Sequence, residues 1–368
     1  MNEVELTKRL IKINSTNPGK YESEVFNPIK KILNDNKINY KNYNLHKIRP
    51  NIFFKVGNSK IKDNILFIGH LDTVPFGKKK WKLDPLSGKI INNKIFGRGS
   101  TDMKAGIASM LSAIIEKKNH QFKNRNLIMA IVSGEETGCE GSILLSKKLK
   151  NEKISMIVCA EPTDNYPVLG HKGVLWLDVE VKGKTSHGSS PELGSNSIYS
   201  AIDAINKLKN LKFNYKKKYF TNSTINIGKM NSGENINSVP DMANFTLDLR
   251  TLAPNQFYKK YISNILSEKK FSIKELANLE MVYNDTWKKK SNLNIINNIC
   301  SMIKKSFKPT FANYFTDIAP FQKGFNKPFN LILGPGNITM AHQTDEYVEI
   351  KKLNQSKEIY KFLINEYC

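Results

Sequence analysis

Asp102 lies in a glycine-rich stretch whose composition suits a rigid binding loop. Residues 96–106 read Phe-Gly-Arg-Gly-Ser-Thr-Asp-Met-Lys-Ala-Gly. The glycines permit tight or left-handed turns, and the small and apolar residues at 105–111 predict a buried helix directly behind the loop. A carboxylate held that stiffly suits a metal ion, although an aspartate in front of a helix is more often an N-cap. The other acids and imidazoles of the chain decide between these interpretations.

The other chemistry-bearing side chains share one feature, because each lies just past a predicted strand or in the loop that follows it. They are His70, Asp72, Glu135, Glu136, Glu161 and His342. Open α/β sheets place their chemistry at the carboxyl ends of their strands. We therefore expect these six side chains and Asp102 to lie together at one edge of a sheet.

This set of side chains suits a centre of two divalent ions. Two imidazoles and three carboxylates can hold two ions, about 3.5 to 4 Å apart, when one carboxylate bridges them, and Asp102 is the natural bridge. Asp72, two residues from His70, can accept the second imidazole N–H and fix the tautomer. Glu135 and Glu136 point apart in an extended segment, so one of the pair is free to act as a base.

Each motif taken alone also has an ordinary structural explanation. A His-x-Asp pair after a strand is often a capped turn, an acidic pair is usually solvated, and His342 alone fits a surface imidazole. These explanations do not account for the joint placement of the motifs at the ends of separate strands.

The first part of the chain alternates strands and helices, which predicts a doubly wound α/β sheet. The last part continues this domain. The predicted helices span 3–13, 22–35, 292–305 and 352 to the end, and the predicted strands span 51–56, 64–68, 126–132, 156–160 and 331–333.

The middle of the chain has a different pattern, with the order β-α-β-β-α-β. Its predicted strands span 174–182, 223–230, 243–249 and 271–279, and its predicted helices span 195–208 and 255–267. We expect an inserted domain over 173–283, with 1–172 and 284–368 forming the catalytic, metal-binding domain.

Composition limits the functional classes. With 368 residues, 40% of them hydrophobic, the chain can bury the cores of one large or two medium domains. Its four cysteines include no CxxC pair, so we expect reduced thiols and a metal site built from histidine and carboxylate. The sequence has neither a membrane-length apolar run nor a basic-then-apolar start, so we expect a cytoplasmic protein with no membrane partner.

The formal net charge of +24 could suggest a nucleic-acid partner. However, the lysines are spread along the whole chain, and the short lysine runs fall between apolar segments without interleaved aromatic residues. We therefore expect solvated loops, weak steering of anionic substrates and no nucleic-acid partner.

Five motifs, in this order, resemble the successive signatures of the M20 metallopeptidase family. They are His-Leu-Asp-Thr-Val-Pro at 70–75, Gly-Arg-Gly-Ser-Thr-Asp-Met-Lys at 97–104, Glu-Glu-Thr at 135–137, Glu-Pro-Thr at 161–163 and Ala-His-Gln-Thr-Asp-Glu at 341–346. The resemblance implies a zinc-peptidase-like catalytic domain with an inserted ferredoxin-like lid that mediates dimerisation. It also implies a cis peptide bond between Asp102 and Met103.

The same resemblance implies two metal sites. One would be formed by His70, Asp102 and Glu161. The second would be formed by Asp102, Glu136 and His342. The expected ion is zinc, with cobalt or manganese as alternatives, because carboxylate-rich sites accept these metals with small differences.

Further roles are implied by the resemblance. Glu135 would be the general base and acid, with Asp72 as the outer partner of the metal-bound histidine. His187 would stabilise the oxyanion, from its own chain or from a partner chain. Asn237 and Arg250 would bind the carboxylate of the substrate.

Within the M20 family the details resemble the acetylornithine deacetylases most, over 161–191, 316–321 and 333–337. Proteobacterial-type succinyl-diaminopimelate desuccinylases usually carry Ser-Asp-Gly-Arg where this chain has Thr-Asp-Ile-Ala at 316–319. We expect removal of the N-acyl group from an N-acyl amino acid, first of all N-acetylornithine in arginine biosynthesis, by a homodimer. The alternatives are desuccinylation in lysine biosynthesis, a broader aminoacylase or dipeptidase, and an anion-binding protein that has lost catalysis.

Overall fold

The computed structural model describes residues 2–19, 22–46, 48–322, 324–325 and 327–368. The chain divides into two compact units. The large unit comprises Met1–Gly170, Tyr283–Thr310 and Thr316–Cys368. The small unit comprises His171–Val282 and Phe311–Phe315. No helix within the described ranges has both the length and the apolar composition needed to cross a membrane.

The large unit is built on a six-stranded sheet. Its strands are Tyr40–Leu45 (β1), Arg49–Val56 (β2), Asp63–His70 (β3), Asn126–Val132 (β6), Lys153–Cys159 (β7) and Phe329–Ile332 (β12). Their order across the sheet is β1-β2-β6-β3-β7-β12. A second, three-stranded sheet consists of Ile90–Ile91 (β4), Lys94–Phe96 (β5) and Tyr347–Glu349 (β13).

The large unit also contains α-helices. They are Glu3–Ile11 (α1), Glu22–Val25 (α2), Asn27–Asp35 (α3), Lys104–Glu116 (α4), Glu140–Lys148 (α5), Lys290–Met302 (α8), Ala319–Gln322 (α9) and Ile350–Tyr367 (α10). The single helix predicted over 22–35 is two helices, because Pro28 lies in the first turn of α3 and lacks the N–H that would continue α2.

The central strands are parallel and deeply buried. Strand β3 pairs in parallel with β6 on one side and β7 on the other, and all residues of β6 are buried. Parallel strands that are covered on both faces have continuous apolar sequences, and β6 has such a sequence. In the register of the sheet, His70 lies opposite Val132 and Ile68 lies opposite Cys159. The carboxyl ends of β3, β6 and β7 therefore meet at one edge.

The small unit contains an antiparallel four-stranded sheet and two helices in the predicted β-α-β-β-α-β order. Its elements are Gly173–Lys182 (β8), Ser197–Lys209 (α6), Thr224–Ser232 (β9), Met242–Thr251 (β10), Asn255–Ile265 (α7) and Phe271–Leu279 (β11). The sheet order is β11-β8-β10-β9. Alternate residues of β8 and β10 are buried in one core with α6 and α7, as period-two strands with one covered face require.

Candidate active site

His70 ends β3 and turns one ring nitrogen toward a group of carboxylates. Its Nε2 lies 3.2 Å from Asp102 Oδ1 and 3.5 Å from Glu161 Oε1. The imidazole is fully buried. These three side chains present ligand atoms that all lie within 4.8 Å of one another, which is close enough to hold one metal ion.

The second ring nitrogen of His70 is held by Asp72, mainly through the main chain. His70 Nδ1 lies 2.9 Å from the backbone oxygen of Asp72 and 3.5 Å from its carboxylate Oδ1. The carboxylate of Asp72 was the predicted partner of the imidazole, but its backbone carbonyl is the nearer acceptor. Either contact leaves Nε2 as the nitrogen available to a metal ion.

The second group of ligand atoms shares Asp102 with the first group. His342 Nε2 lies 3.3 Å from Asp102 Oδ2 and 3.3 Å from Glu136 Oε1. Asp102 thus directs one carboxylate oxygen to each group, as a bridging ligand would. His342 lies in a loop with positive φ (63°), and its imidazole is half exposed, unlike that of His70.

The loop that carries Asp102 is fixed by the carboxylate of Glu346. Glu346 Oε1 accepts from the backbone N–H groups of Thr101 (2.7 Å) and Asp102 (3.1 Å). Its Oε2 accepts from the N–H of Gly99 (3.0 Å) and from Arg98 Nη1 (2.7 Å). Glu346 is fully buried. Glu346 ends the motif at 341–346, but its sequence context alone predicted no role for it.

Helix α4 brings this loop close to the residue that precedes Glu161. A Cβ placed on Gly106 would lie 2.3 Å from the backbone oxygen of Ala160, so only glycine permits this approach.

The peptide bond between Asp102 and Met103 is cis, as the resemblance implied.

The carboxylate of Asp72 holds the loop that carries the acidic pair. Its Oδ1 accepts from the backbone N–H groups of Gly134 (2.9 Å) and Glu135 (3.2 Å), and its Oδ2 accepts from that of Glu136 (3.1 Å). One side chain at the end of β3 therefore sets the position of the loop after β6. The sequence did not predict this anchoring role.

Glu135 lies beside both groups and belongs to neither. Its Oε2 is 4.0 Å from His70 Nε2, and its Oε1 is 3.9 Å from Cys139 Sγ. Glu136 belongs to the group with His342, so the two neighbouring glutamates take different positions.

Burial and crowding of negative charge shift the titration of these side chains. Burial raises the pKa of Glu135 well above its usual range. Burial and the nearby charge of Asp102 raise the pKa of Glu161 to about 8. Burial opposes a charged His342, but Asp102 and Glu136 outweigh burial and raise its pKa to about 10. The cluster favours positive charge at its centre.

The residues present fit a bound metal. His70 Nε2, Asp102 Oδ1 and Glu136 Oε1 are buried and have no hydrogen-bond partner in the part of the chain that the structure describes. Buried polar atoms without partners are costly, and one cation in each ligand group would satisfy these atoms. The donor set of imidazole nitrogen and carboxylate oxygen suits zinc, cobalt or manganese.

Comparison with known proteins decides the family. Residues 66–366 match the model of peptidase family M20/M25/M40. The chain belongs to this family. It is 32% identical over 323 residues to an acetylornithine deacetylase of Buchnera aphidicola, covering 83% of this chain and 81% of that protein. It is also 29% identical to a succinyl-diaminopimelate desuccinylase of Wolbachia pipientis, and this match covers 99% of this chain and 93% of that protein.

A solved structure shows the same fold. The M20 family metallo-carboxypeptidase of Sulfolobus solfataricus aligns with a TM-score of 0.81 at 18% identity, covering 100% of this chain and 99% of that chain. The two relatives and this structure carry the names of hydrolytic enzymes. As a member of the M20 family, the chain is an amidohydrolase.

Three residues to which the M20 resemblance assigned roles lie in the small unit. His187 is exposed, and its Nδ1 lies 2.7 Å from the hydroxyl of Ser189. Asn237 is also exposed and lies beside the His187 loop, because its backbone oxygen accepts from the N–H of Gly188 at 2.7 Å. The small unit thus brings His187 and Asn237 into neighbouring loops.

Arg250 lies at the other end of the same sheet. The loops of His187 and Asn237 adjoin the start of β10, where Met242 pairs with Lys182, whereas Arg250 pairs with Val174 near the end of β10. Eight residues of extended strand span about 26 Å. Arg250 is paired with Asp248 at 2.9 Å and packs over the Phe315 ring. Within one chain, Arg250 and Asn237 are too far apart to bind the same carboxylate.

Proposed function

We propose that this M20 enzyme is a two-metal amidohydrolase that removes the N-acyl group from an N-acyl amino acid, with N-acetylornithine as the first candidate. One observation carries the proposal. Two ligand groups share Asp102, and Glu135 lies next to them without belonging to either. A protein that only bound anions would have no use for an additional buried glutamate at this position.

Two divalent ions would be held by the two groups, the first by His70, Asp102 and Glu161, and the second by Asp102, Glu136 and His342. Zinc is the first candidate, with cobalt and manganese as alternatives. When bound, such ions polarise the amide carbonyl and make water more acidic.

Glu135 would move the proton in the reaction. It takes a proton from the attacking water and passes that proton to the amide nitrogen as the carbon–nitrogen bond breaks. One water and one amide thus give one carboxylic acid and one amine, which ionise to a carboxylate and an ammonium group. The burial that raises the pKa of Glu135 matches this role, because a carboxylate must be basic enough to hold the proton between the two steps.

The choice of an acetyl group is supported by residues 316–319. Ile318 and Ala319 stand where desuccinylases of the proteobacterial type usually carry Gly-Arg, and both are buried. The first relative named above is an acetylornithine deacetylase, which favours the same choice and, with it, a place in arginine biosynthesis. Desuccinylation remains the second candidate, because the Wolbachia relative covers 99% of this chain.

We expect the N-acetyl substrate to be hydrolysed with a larger kcat/KM than the N-succinyl substrate. The succinyl group carries a second, distal carboxylate, and this chain lacks the arginine near 316–319 that would bind it. A charged hydrogen bond of that kind contributes about 1.5 to 3 kcal/mol, or roughly ten- to a hundredfold in rate. N-acetylornithine, N-succinyl-diaminopimelate and a dipeptide would be assayed with zinc, cobalt and manganese in turn. A preference for N-succinyl-diaminopimelate would establish the second candidate instead.

We propose that the enzyme is a homodimer in which the small unit serves as lid and dimerisation domain. The separation of Arg250 from Asn237 supports this arrangement, because two chains can bring an arginine and an asparagine to one substrate carboxylate, whereas these two residues of a single chain lie too far apart. His187, with the neighbouring Asn237, would come from the partner subunit. The four cysteines are unpaired and buried, in agreement with a reducing, cytoplasmic compartment.

Mixed dimers test the role of His187. Dimers of Glu135→Ala subunits and dimers of His187→Ala subunits should each be inactive, whereas a mixed dimer joins an intact Glu135 to the intact His187 of its partner. Random exchange makes about half of the dimers mixed, each with one working site of two, so activity should return to roughly a quarter of wild type. Activity near zero after demonstrated subunit exchange would place the action of His187 within its own chain or exclude it.

A further inference from the structure

A buried polar network adjoins the carboxylate of Asp72. At its centre is Asn17, whose Nδ2 lies 3.2 Å from Asp72 Oδ2, 3.2 Å from Thr137 Oγ1 and 3.3 Å from Glu22 Oε1. Asn17 and Glu22 are buried. All of these residues belong to the large unit.

Arg49 closes this network from β2. Its Nε donates to Glu22 Oε1 at 2.8 Å, and its Nη1 donates to Glu140 Oε2 at 2.5 Å. Glu140 also accepts from the hydroxyl of Thr137 at 2.8 Å. The guanidinium is only 6% exposed, so these contacts act at short range with little screening by solvent.

The backbone holds Asn17 in position as well. The N–H of Asn17 donates to the oxygen of Thr73 at 2.8 Å, and the N–H of Thr73 donates to the oxygen of Ser15 at 3.0 Å. The segment that contains Asn17 is therefore paired with the residue that follows Asp72.

Asn17 donates the fourth hydrogen bond that the carboxylate of Asp72 accepts. Asp72 accepts three backbone N–H groups of the 134–136 loop, and a carboxylate has about four acceptor sites. The amide of Asn17 provides the fourth donor, from a segment far from the loop in sequence. Without it, the Asp72 side chain could rotate and carry Glu135 and Glu136 with it.

We propose that Asn17, held by Glu22, Thr137 and Arg49, is a positioning residue that fixes Asp72 and, through Asp72, the loop of the general base. The inference rests on the proposed function for its kinetic part. Among the described residues, Asn17, Glu22 and Arg49 make no hydrogen bond to a side chain of either ligand group, so their effect on the reaction would pass through Asp72. A displacement of about 1 Å at a reacting group can cost about a hundredfold in rate.

The test compares Asn17→Ala with the matched control Asn64→Ala. Asn64 is another buried asparagine with several acceptors, but it lies at the opposite end of β3 from His70. Both variants lose a buried amide, so a merely structural role predicts equal effects. Hydrogen–deuterium exchange of peptides covering 133–138, kcat, KM and metal content would be measured for both variants.

We expect Asn17→Ala to speed exchange across 134–136 about tenfold and to lower kcat by about ten- to a hundredfold, with KM changed less than about threefold. Asn64→Ala should change neither exchange at this loop nor kcat. Thr137→Val, which keeps the side-chain shape and removes one partner of Asn17, should show the same pattern more weakly and covers the case in which Asn17→Ala fails to fold.

Equal exchange and equal kcat in Asn17→Ala and Asn64→Ala would overturn the proposal, as would a Thr137→Val variant identical to wild type when Asn17→Ala does not fold. If wild type hydrolyses none of the N-acyl substrates, the proposed function fails, and the exchange measurement still decides whether Asn17 fixes the loop.

Discussion

Replacement of Glu135 by alanine is expected to lower kcat by about 100- to 10,000-fold or more, while the metal content stays near that of wild type. A general base typically contributes about two to four orders of magnitude, and the loss grows when the same residue also returns the proton. Glu135 lies outside both groups of ligand atoms, so its removal takes away no ligand. KM should change little, because in the proposed reaction the glutamate acts on water and the leaving nitrogen.

Glu136→Ala is the matched control, since it truncates the same type of side chain one residue away. Glu136 Oε1 lies 3.3 Å from His342 Nε2, within the second ligand group. This variant should lose one ion. Metal analysis of both purified variants, together with kcat, separates the two roles. If Glu135→Ala lost the ion and Glu136→Ala kept both, the assignment of the pair would be reversed.

Much of the central sheet could be predicted because its strands are continuous apolar runs. Strands β3, β6 and β7 are within about three residues of their predicted bounds, and each has polar residues at its end. Edge elements lack this signal. Strand β1 is polar and partly exposed, and it was not predicted. The short strands β4 and β13 pair only within a small sheet, so local sequence carries little information about them.

The candidate site was predicted as a set of residues but not as a set of contacts. Parallel strand ends meet at one edge, so order along the chain was enough to group His70, Glu135 and Glu161. The anchoring role of Asp72 and the role of Glu346 could not be predicted in this way. Both carboxylates bind backbone N–H groups of loops that are 62 or more residues away in sequence, and those contacts depend on the conformations of the loops.

The residues of the small unit show a different limit. Asn237 and Arg250 were predicted to bind one carboxylate because each sits in a motif that resembles the family. Motifs carry no information on which chain supplies a residue. Only the register of β10 shows that Arg250 lies near the end of this strand, whereas the loop of Asn237 precedes its start.

Replacement of Asp102 by alanine is expected to remove both ions and to lower kcat/KM at least about 10,000-fold. Asp102 is the side chain that the two groups share, with Oδ1 directed to His70 and Oδ2 to His342. Its loss leaves two potential ligands in each group, too few for a stable site of this type. Without either ion, the enzyme would retain only the small rate enhancement that substrate binding and Glu135 can provide.

Single-ligand variants make this expectation specific. Glu161→Ala and Glu136→Ala each remove a ligand from one group only, so each should keep about one ion per chain. Asp317→Asn serves as a control for disturbing a buried acid, because Asp317 is fully buried, bonds to Ser142 at 2.6 Å and belongs to neither group. That variant should keep both ions.

Metal analysis of the four variants after dialysis, with circular dichroism to confirm folding, gives a clear order of occupancy. We expect none for Asp102→Ala, one for each single-group variant and two for Asp317→Asn. A folded Asp102→Ala that kept one ion would show that one group is complete without the aspartate. The bridging position of Asp102 would then have to be abandoned, and the two groups would be independent sites.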